Sequence, residues 1–274
     1  MTGRPDPAQV VRAAQLRSLH VSGRPLRLVN VWDVASAQVV AAQPATMAIA
    51  TASWSISAAH GVPDGEGLAL DDLLVTVERI CRAVSLPVTA DLERGHGRTP
   101  DDVAVSIRRL IDTGAVGCNI EDSVAADDPG GTDGLRDLAD QVARLRAVRS
   151  AADAAGVPIV LNARTDVLVS GGDTDDAVAR GLAYLDAGAD CVFALGAADL
   201  GDVRKLTAAF DGRLSLMAWP GMPSADELAE AGVSRISVGP GPMRAAYTEL
   251  ARVAAEIAAT GVWPEAIGAR LPMG

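Results

Sequence analysis

Eight apolar runs recur along this chain at the spacing of strand-helix units, and they constrain its fold more than any other feature. LRLVNVWD, ATMAIAT, PVTADLE, VGCNIED, PIVLNARTD, CVFAL, RLSLMAW and RISVGP follow in that order, mostly separated by Ala/Leu/Val-rich stretches of helical character. Strands written as continuous apolar runs have both faces buried, as in a parallel sheet. Three of the runs follow a helix-stop phrase, DTGAVG at 112–117, AAGVP at 154–158 and DAGADC at 186–191. In each, Gly supplies the left-handed residue that ends a helix and hands the chain to the next strand. The pattern predicts an α/β chain of one domain over residues 1–274, a (β/α)8 TIM-type barrel. Its core is expected at about 26–259, with a short helix at 10–16 before the first strand, the last barrel helix at 244–259 and a tail at 260–274.

Acidic residues close four of these units. HGVPD ends at Asp64, TADLERGHG carries Asp91 and Glu93, CNIED carries Glu121 and Asp122, and NARTD carries Arg164 and Asp166. A barrel of this class places its active site at the carboxyl ends of the strands, where these segments fall. Carboxylates gathered in one pocket raise each other's pKa values unless a cation neutralises them, so the cluster argues for a hard divalent metal. Capping of a following helix is the other reading of Asp64, Asp91 and Glu121.

Hydrophobic residues make up 49% of the chain and aromatic residues 3%, so the core must be built from Ala, Val, Leu and Ile. The net charge of −11 argues against a nucleic acid or an anionic membrane as partner. No apolar stretch approaches the roughly 18 residues of a membrane span, and MTGRPDPAQVVRAAQ has neither a signal core nor a transit pattern, so a cytoplasmic location is expected. Cys81, Cys118 and Cys191 read as core thiols. The Gly- and Asp-rich segment 123–137 reads as a lid over the site, with an ordinary solvated loop as the other reading.

Five motifs carry a family resemblance: Asn30-Val-Trp32-Asp33, Gly61-Val-Pro-Asp64, Asp91-Leu-Glu93-Arg-Gly95-His-Gly97, Ile120-Glu121-Asp122 and Ala163-Arg164-Thr165-Asp166. In order and spacing the chain resembles the isocitrate lyase and phosphoenolpyruvate mutase superfamily over residues 26–259. The resemblance implies a Mg²⁺ site, or Mn²⁺ in its place, with Asp91 as direct ligand and Glu93 and Glu121 holding metal-bound waters. Asp64 then matches an acid near the reacting centre, and Arg164 a positive charge for a carboxylate or enolate oxygen. Backbone donors for a substrate carboxylate map to residues 51–55, including Ser53 and Trp54. Trp32 and Trp54 are open to two readings, pocket wall and packing residue. His60 and His96 lie beside motifs, and His96 is either a proton donor or a structural imidazole.

Departures from the best-known branches narrow the reaction. Segment 123–137 lacks the Cys, His and Lys of lyase lids, and it carries Asp127 and Asp128 where phosphonate-handling relatives carry Lys-Thr-Asn-Ser. Leu195 stands where lyase relatives place Glu and mutase relatives His. What remains resembles oxaloacetate decarboxylases and lyases of substituted malates, which cleave a C–C bond of a small 2-oxo or 2-hydroxy di- or tricarboxylate through a pyruvate enolate. The alternatives are P–C bond chemistry, as in phosphoenolpyruvate phosphonomutase or phosphonopyruvate hydrolase, and a barrel that binds a carboxylate without turnover. Relatives also exchange a C-terminal helix, which implies a homo-oligomer, a tetramer, with the final helix and tail on a neighbour.

Overall fold

Asn30 closes the molecule on itself. In the computed structural model, which describes residues 5–124, 131–132, 134–268 and 271, its Nδ2 donates to the Thr51 carbonyl at 2.8 Å. Its Oδ1 accepts from the backbone N–H groups of Val238 and Gly239, at 3.0 and 2.8 Å. One side chain therefore ties the first strand to the second and to the last. That first strand is broken at Val29 into β1 (Leu26–Leu28) and β2 (Asn30–Val31). β1 pairs in parallel with β11 (Arg235–Ser237) and β2 with β3 (Ile49–Thr51), so the two halves seal a ring of eight barrel strands.

The ring runs on through β4 (Val88–Asp91), β5 (Gly117–Glu121), β8 (Val160–Thr165), β9 (Cys191–Ala194) and β10 (Leu214–Met217), every pairing parallel. All eight apolar runs become strands, as the sequence predicts. Around them lie α2 (Val34–Ala41), α3 (Ser53–Ala59), α4 (Leu70–Ala83), α5 (Pro100–Asp112), α6 (Leu138–Ala155), α7 (Thr174–Asp186), α8 (Leu200–Ala209), α9 (Ala225–Glu230) and α10 (Gly241–Thr260). Local chemistry fixes their ends. Thr99 and Asp102 form a reciprocal capping box with Pro100 in the first turn of α5. Gly114, Gly156 and Gly188, one in each helix-stop phrase, all adopt positive φ.

The expected helix at 10–16 is longer, α1 (Pro7–Ser18), because Asp6 caps it and Pro7 starts it. It plugs the amino-terminal end of the barrel. Leu16 and Ala13 are fully buried, and Gln9 Nε2 donates to the carbonyls of Ile111 and Ala115. The plug dictates Gly117, since a Cβ there would sit 2.9 Å from both Leu16 Cδ2 and Thr89 Oγ1.

The final helix likewise exceeds its expected bounds, and Met243 is its one buried residue. Tyr247 and Leu250 on α10, and Val262, Trp263, Ile267 and Leu271 after it, are exposed apolar side chains. A 3-10 turn, Glu265–Gly268, lies in this tail. Among the described residues no helix is long and apolar enough to cross a membrane. Part of segment 123–137 forms a short antiparallel ribbon, β6 (Gly131–Thr132) with β7 (Leu135–Arg136), while Asp127 and Asp128 lie outside the described residues.

Candidate active site at the barrel mouth

Asp91 ends β4 and points its carboxylate into a ring of donors. Its Oδ2 accepts from Ser53 Oγ at 3.0 Å and from the Ser53 N–H at 3.3 Å, and its Oδ1 accepts from Asn119 Nδ2 at 3.4 Å. The Asp91 N–H donates to Thr51 Oγ1 at 2.9 Å, locking β4 to β3. The capping reading of Asp91 is thereby displaced, because Thr99 caps the helix that follows it.

Beyond Asp91 the chain turns through unfavourable backbone. Glu93 and His96 have φ of 50° and 48°, and Glu66 in the facing loop has 63°; Asp211 is the only other non-glycine residue described with positive φ. Strain of this kind persists where surrounding contacts over-determine it, and here they do. The Glu66 N–H donates to Glu93 Oε2, Glu66 Oε1 accepts from the His96 N–H at 2.7 Å, and Arg94 Nη2 donates to the Gly65 carbonyl at 2.6 Å. The loops after β3 and β4 are stapled together, with Asp64 and Glu93 between them.

On the far side, Arg164 of β8 reaches Glu121 of β5, Nη1 to Oε2 at 2.7 Å, and forks onto Asp166 at 2.6 and 2.8 Å. Ser123 Oγ donates to Glu121 Oε1 at 2.6 Å. Asp122, next in the motif, turns away and is fully buried. It accepts from Tyr184 Oη at 2.6 Å, Thr165 Oγ1 at 2.9 Å and the Asp166 N–H at 2.8 Å, so it anchors β5 to β8 and α7.

Electrostatically the mouth is under-compensated. Burial, then the charges of Asp64 and Asp91, push Glu93 up to about 8. Burial lifts Glu121 to about 7 despite the Arg164 charge, and burial with the Asp91 charge raises Asp64. Burial works against the Arg164 charge, but Glu121 and Asp166 overcome it and hold its pKa above the ordinary value. Among the described residues no group of three His, Cys, Asp or Glu side chains converges tightly enough to hold a metal alone. The donor set nevertheless suits Mg²⁺, which takes one or two carboxylates directly and keeps several waters that other acids can hold. Mutual repulsion among buried acids is what such an ion would relieve.

Three other expected site residues sit differently. His96 lines a cavity of about 910 Å³ with Arg94, Arg98 and Ser106, and among the described residues its Nε2 has no hydrogen-bond partner. Burial lowers its pKa. Trp32 packs edge-on against Tyr247 at 6.2 Å, and Arg244 lies 4.9 Å from the centre of the Trp54 ring, so both tryptophans also anchor α10. Arg244, Glu66 and Asn119 are site neighbours that motif reading did not single out. For Asn119 a signal existed: the chain has only three asparagines, each inside an apolar strand run.

A family model described as phosphoenolpyruvate phosphomutase matches residues 16–258. The crystal structure of a putative phosphonomutase from Burkholderia cenocepacia J2315 is 43% identical, with a TM-score of 0.85 over 90% of this chain and 99% of that one. 2-Methylisocitrate lyase of Escherichia coli is 32% identical over 190 residues, covering 69% of this chain and 62% of the relative. Oxaloacetate decarboxylase of Rhodopseudomonas palustris is 29% identical over 241 residues, 86% of this chain and 81% of that protein.

Proposed function

The chain belongs to the phosphoenolpyruvate phosphomutase family, within the isocitrate lyase and phosphoenolpyruvate mutase superfamily, and on that premise we propose that it is a Mg²⁺-dependent carbon–carbon lyase or decarboxylase. Its substrate is a small 2-oxo or 2-hydroxy di- or tricarboxylate. The observation that carries the reading is the convergence of Asp64, Asp91, Glu93 and Glu121 at the mouth, where burial and neighbouring carboxylates raise the pKa values of Asp64, Glu93 and Glu121.

Asp91 would hold the cation directly, and Glu93 and Glu121 its waters. Bound there, Mg²⁺ supplies Lewis-acid stabilisation of charge developing on a 2-oxo oxygen. Trp54 in the first turn of α3 offers a backbone N–H to a carboxylate, while Ser53 keeps its own on Asp91, and Trp32 stands near the base of α10. Arg164 adds a fixed positive charge for the enolate oxygen, its fork held in place by Asp166. Asp64, exposed in the loop after α3 and near enough to Asp91 to feel its charge, is assigned proton movement at the reacting carbon. A water would then supply the proton at the carbon that CO₂ leaves, since His96 faces the neighbouring cavity.

P–C bond chemistry is the second reading, favoured by the 43% identity to a putative phosphonomutase. One panel separates the two. The purified chain with Mg²⁺ is offered oxaloacetate, substituted malates, 2-methylisocitrate and phosphonopyruvate, with pyruvate, CO₂, phosphate and phosphoenolpyruvate as readouts. Chelator-sensitive pyruvate release from a carboxylate supports the first reading. Turnover of phosphonopyruvate alone replaces it with the second, and no turnover of any member contradicts both.

The assembly proposed is a homotetramer in which α10 and the tail pack on a neighbour. The exposed apolar side chains of α10 and 261–271 support it, being more than a free helix leaves in water. A sedimentation mass near the 28.0 kDa monomer would contradict it.

A further inference from the structure

Beneath the acidic mouth lies a second polar layer, built from Asn119, Asn162, Ser215 and Arg235. Arg235 Nη2 donates to Asn119 Oδ1 at 3.2 Å, and Asn162 Nδ2 donates to the same oxygen at 2.9 Å and approaches Ser215 Oγ at 3.5 Å. Arg235 is 1% exposed, and among the described residues its guanidinium forms no ion pair, with Asp91 acting on it only through charge at a distance. Its Nε and Nη1 find no hydrogen-bond partner among the described residues. A barrel interior normally excludes such a group, because a desolvated, unpaired charge is costly.

We propose that Arg235 is a positioning residue, which fixes the side-chain amide of Asn119 and through it the orientation of Asp91. A guanidinium can only donate, so Asn119 must turn Oδ1 toward it, and the Asn162 donor reinforces the demand. The other end of the amide, Nδ2, then faces Asp91 Oδ1 at 3.4 Å. With Ser53 on Oδ2, Asp91 is gripped at both oxygens. A reversed amide would set oxygen against oxygen and push the carboxylate out of place. The inference rests on the reading of Asp91 as the cation ligand, and it gives the interior layer the role of presenting that ligand in one rotamer.

The sign of one measurement separates this role from a purely electrostatic one. In Arg235→Met a neutral side chain of similar length replaces the buried charge, so thermal stability holds or rises. Mg²⁺ affinity, read by calorimetry, falls about 10- to 100-fold, the usual cost of losing a group that orients a ligand. Arg235→Lys still donates to Asn119 and stays close to wild type. Tighter Mg²⁺ binding by Arg235→Met, expected if only a like charge were removed, overturns the proposal. In an Asn119→Leu background Arg235→Met has no further effect, and a second full loss overturns it too. A metal-free readout comes from ¹⁵N-asparagine labelling, which gives three side-chain amides. The Asn119 pair is protected from exchange in the wild type and loses protection in Arg235→Met; an unchanged pair contradicts the proposal whether or not the chain binds Mg²⁺. Wild-type Mg²⁺ affinity in Asp91→Ala would instead sink the reading of Asp91 alone.

Discussion

The two ends of this barrel handle carboxylates in opposite ways. At the amino-terminal end a single acid, Asp190, accepts from Arg17 Nε at 2.9 Å, Arg149 Nη2 at 2.7 Å and the Leu161 N–H at 2.8 Å. Burial works against its charge, yet these partners hold its pKa below the ordinary value. At the mouth, Arg164 pairs with Glu121 and Asp166 alone, and burial with neighbouring carboxylates pushes Glu93 up to about 8 and Glu121 up to about 7. One end is complete in itself. The other keeps acids with raised pKa values, as the proposed cation site requires.

The sharpest way to break that contrast is to remove an acid from each end. Asp91→Ala should abolish Mg²⁺ binding and all metal-dependent turnover while the protein stays folded, as followed by calorimetry and circular dichroism. Arg164→Ala should lower kcat/KM by about 10²–10³-fold, the scale for losing one charge-stabilising donor, with Mg²⁺ still bound. Asp190→Ala should leave Mg²⁺ affinity unchanged but cost about 3 kcal/mol in urea unfolding, because two guanidinium groups lose their counter-charge. Equal behaviour of Asp91→Ala and Asp190→Ala in both assays would erase the distinction.

A gentler test uses pH. Glu93 rises from an ordinary 4.5 to about 8, so between those values the folded state binds more protons than the unfolded state. Stability of the metal-free protein therefore falls as pH rises through that window. Asp190 has the opposite sign: its depressed pKa contributes stability above the ordinary carboxylate value and loses it only in acid. Saturating Mg²⁺ should flatten the slope between pH 5 and pH 8 in thermal melts, to an extent of about 1 kcal/mol or more per group relieved. A metal-free protein whose stability is level across that range would show that the mouth acids are already compensated.

Much of this was legible in the chain. Continuous apolar runs and Gly-bearing helix stops were enough for the barrel, because strands buried on both faces leave no polar alternation. The acidic strand ends were legible as a cluster for the same topological reason. The break at Val29 was not, since it depends on Asn30 bonding residues over 200 positions away. Nor was the division of labour between neighbours in one motif. Glu121 turns to Arg164 whereas Asp122 turns to Tyr184 and Thr165, and only the packed α7 decides that. Glu66 escaped notice because its strained backbone N–H and its carboxylate staple the neighbouring loop from outside any of the five motifs.

The most direct test of a mouth built to receive a cation is proton release on binding. Burial and neighbouring carboxylates raise both Glu93 and Glu121, so the mouth carries bound protons at pH 7 that a cation would displace. Calorimetric titration of Mg²⁺ in buffers of different ionisation enthalpy should then show about one proton released per ion, falling toward zero near pH 9. Mg²⁺ binding with no proton release at pH 7, or no saturable binding at all, would contradict the account.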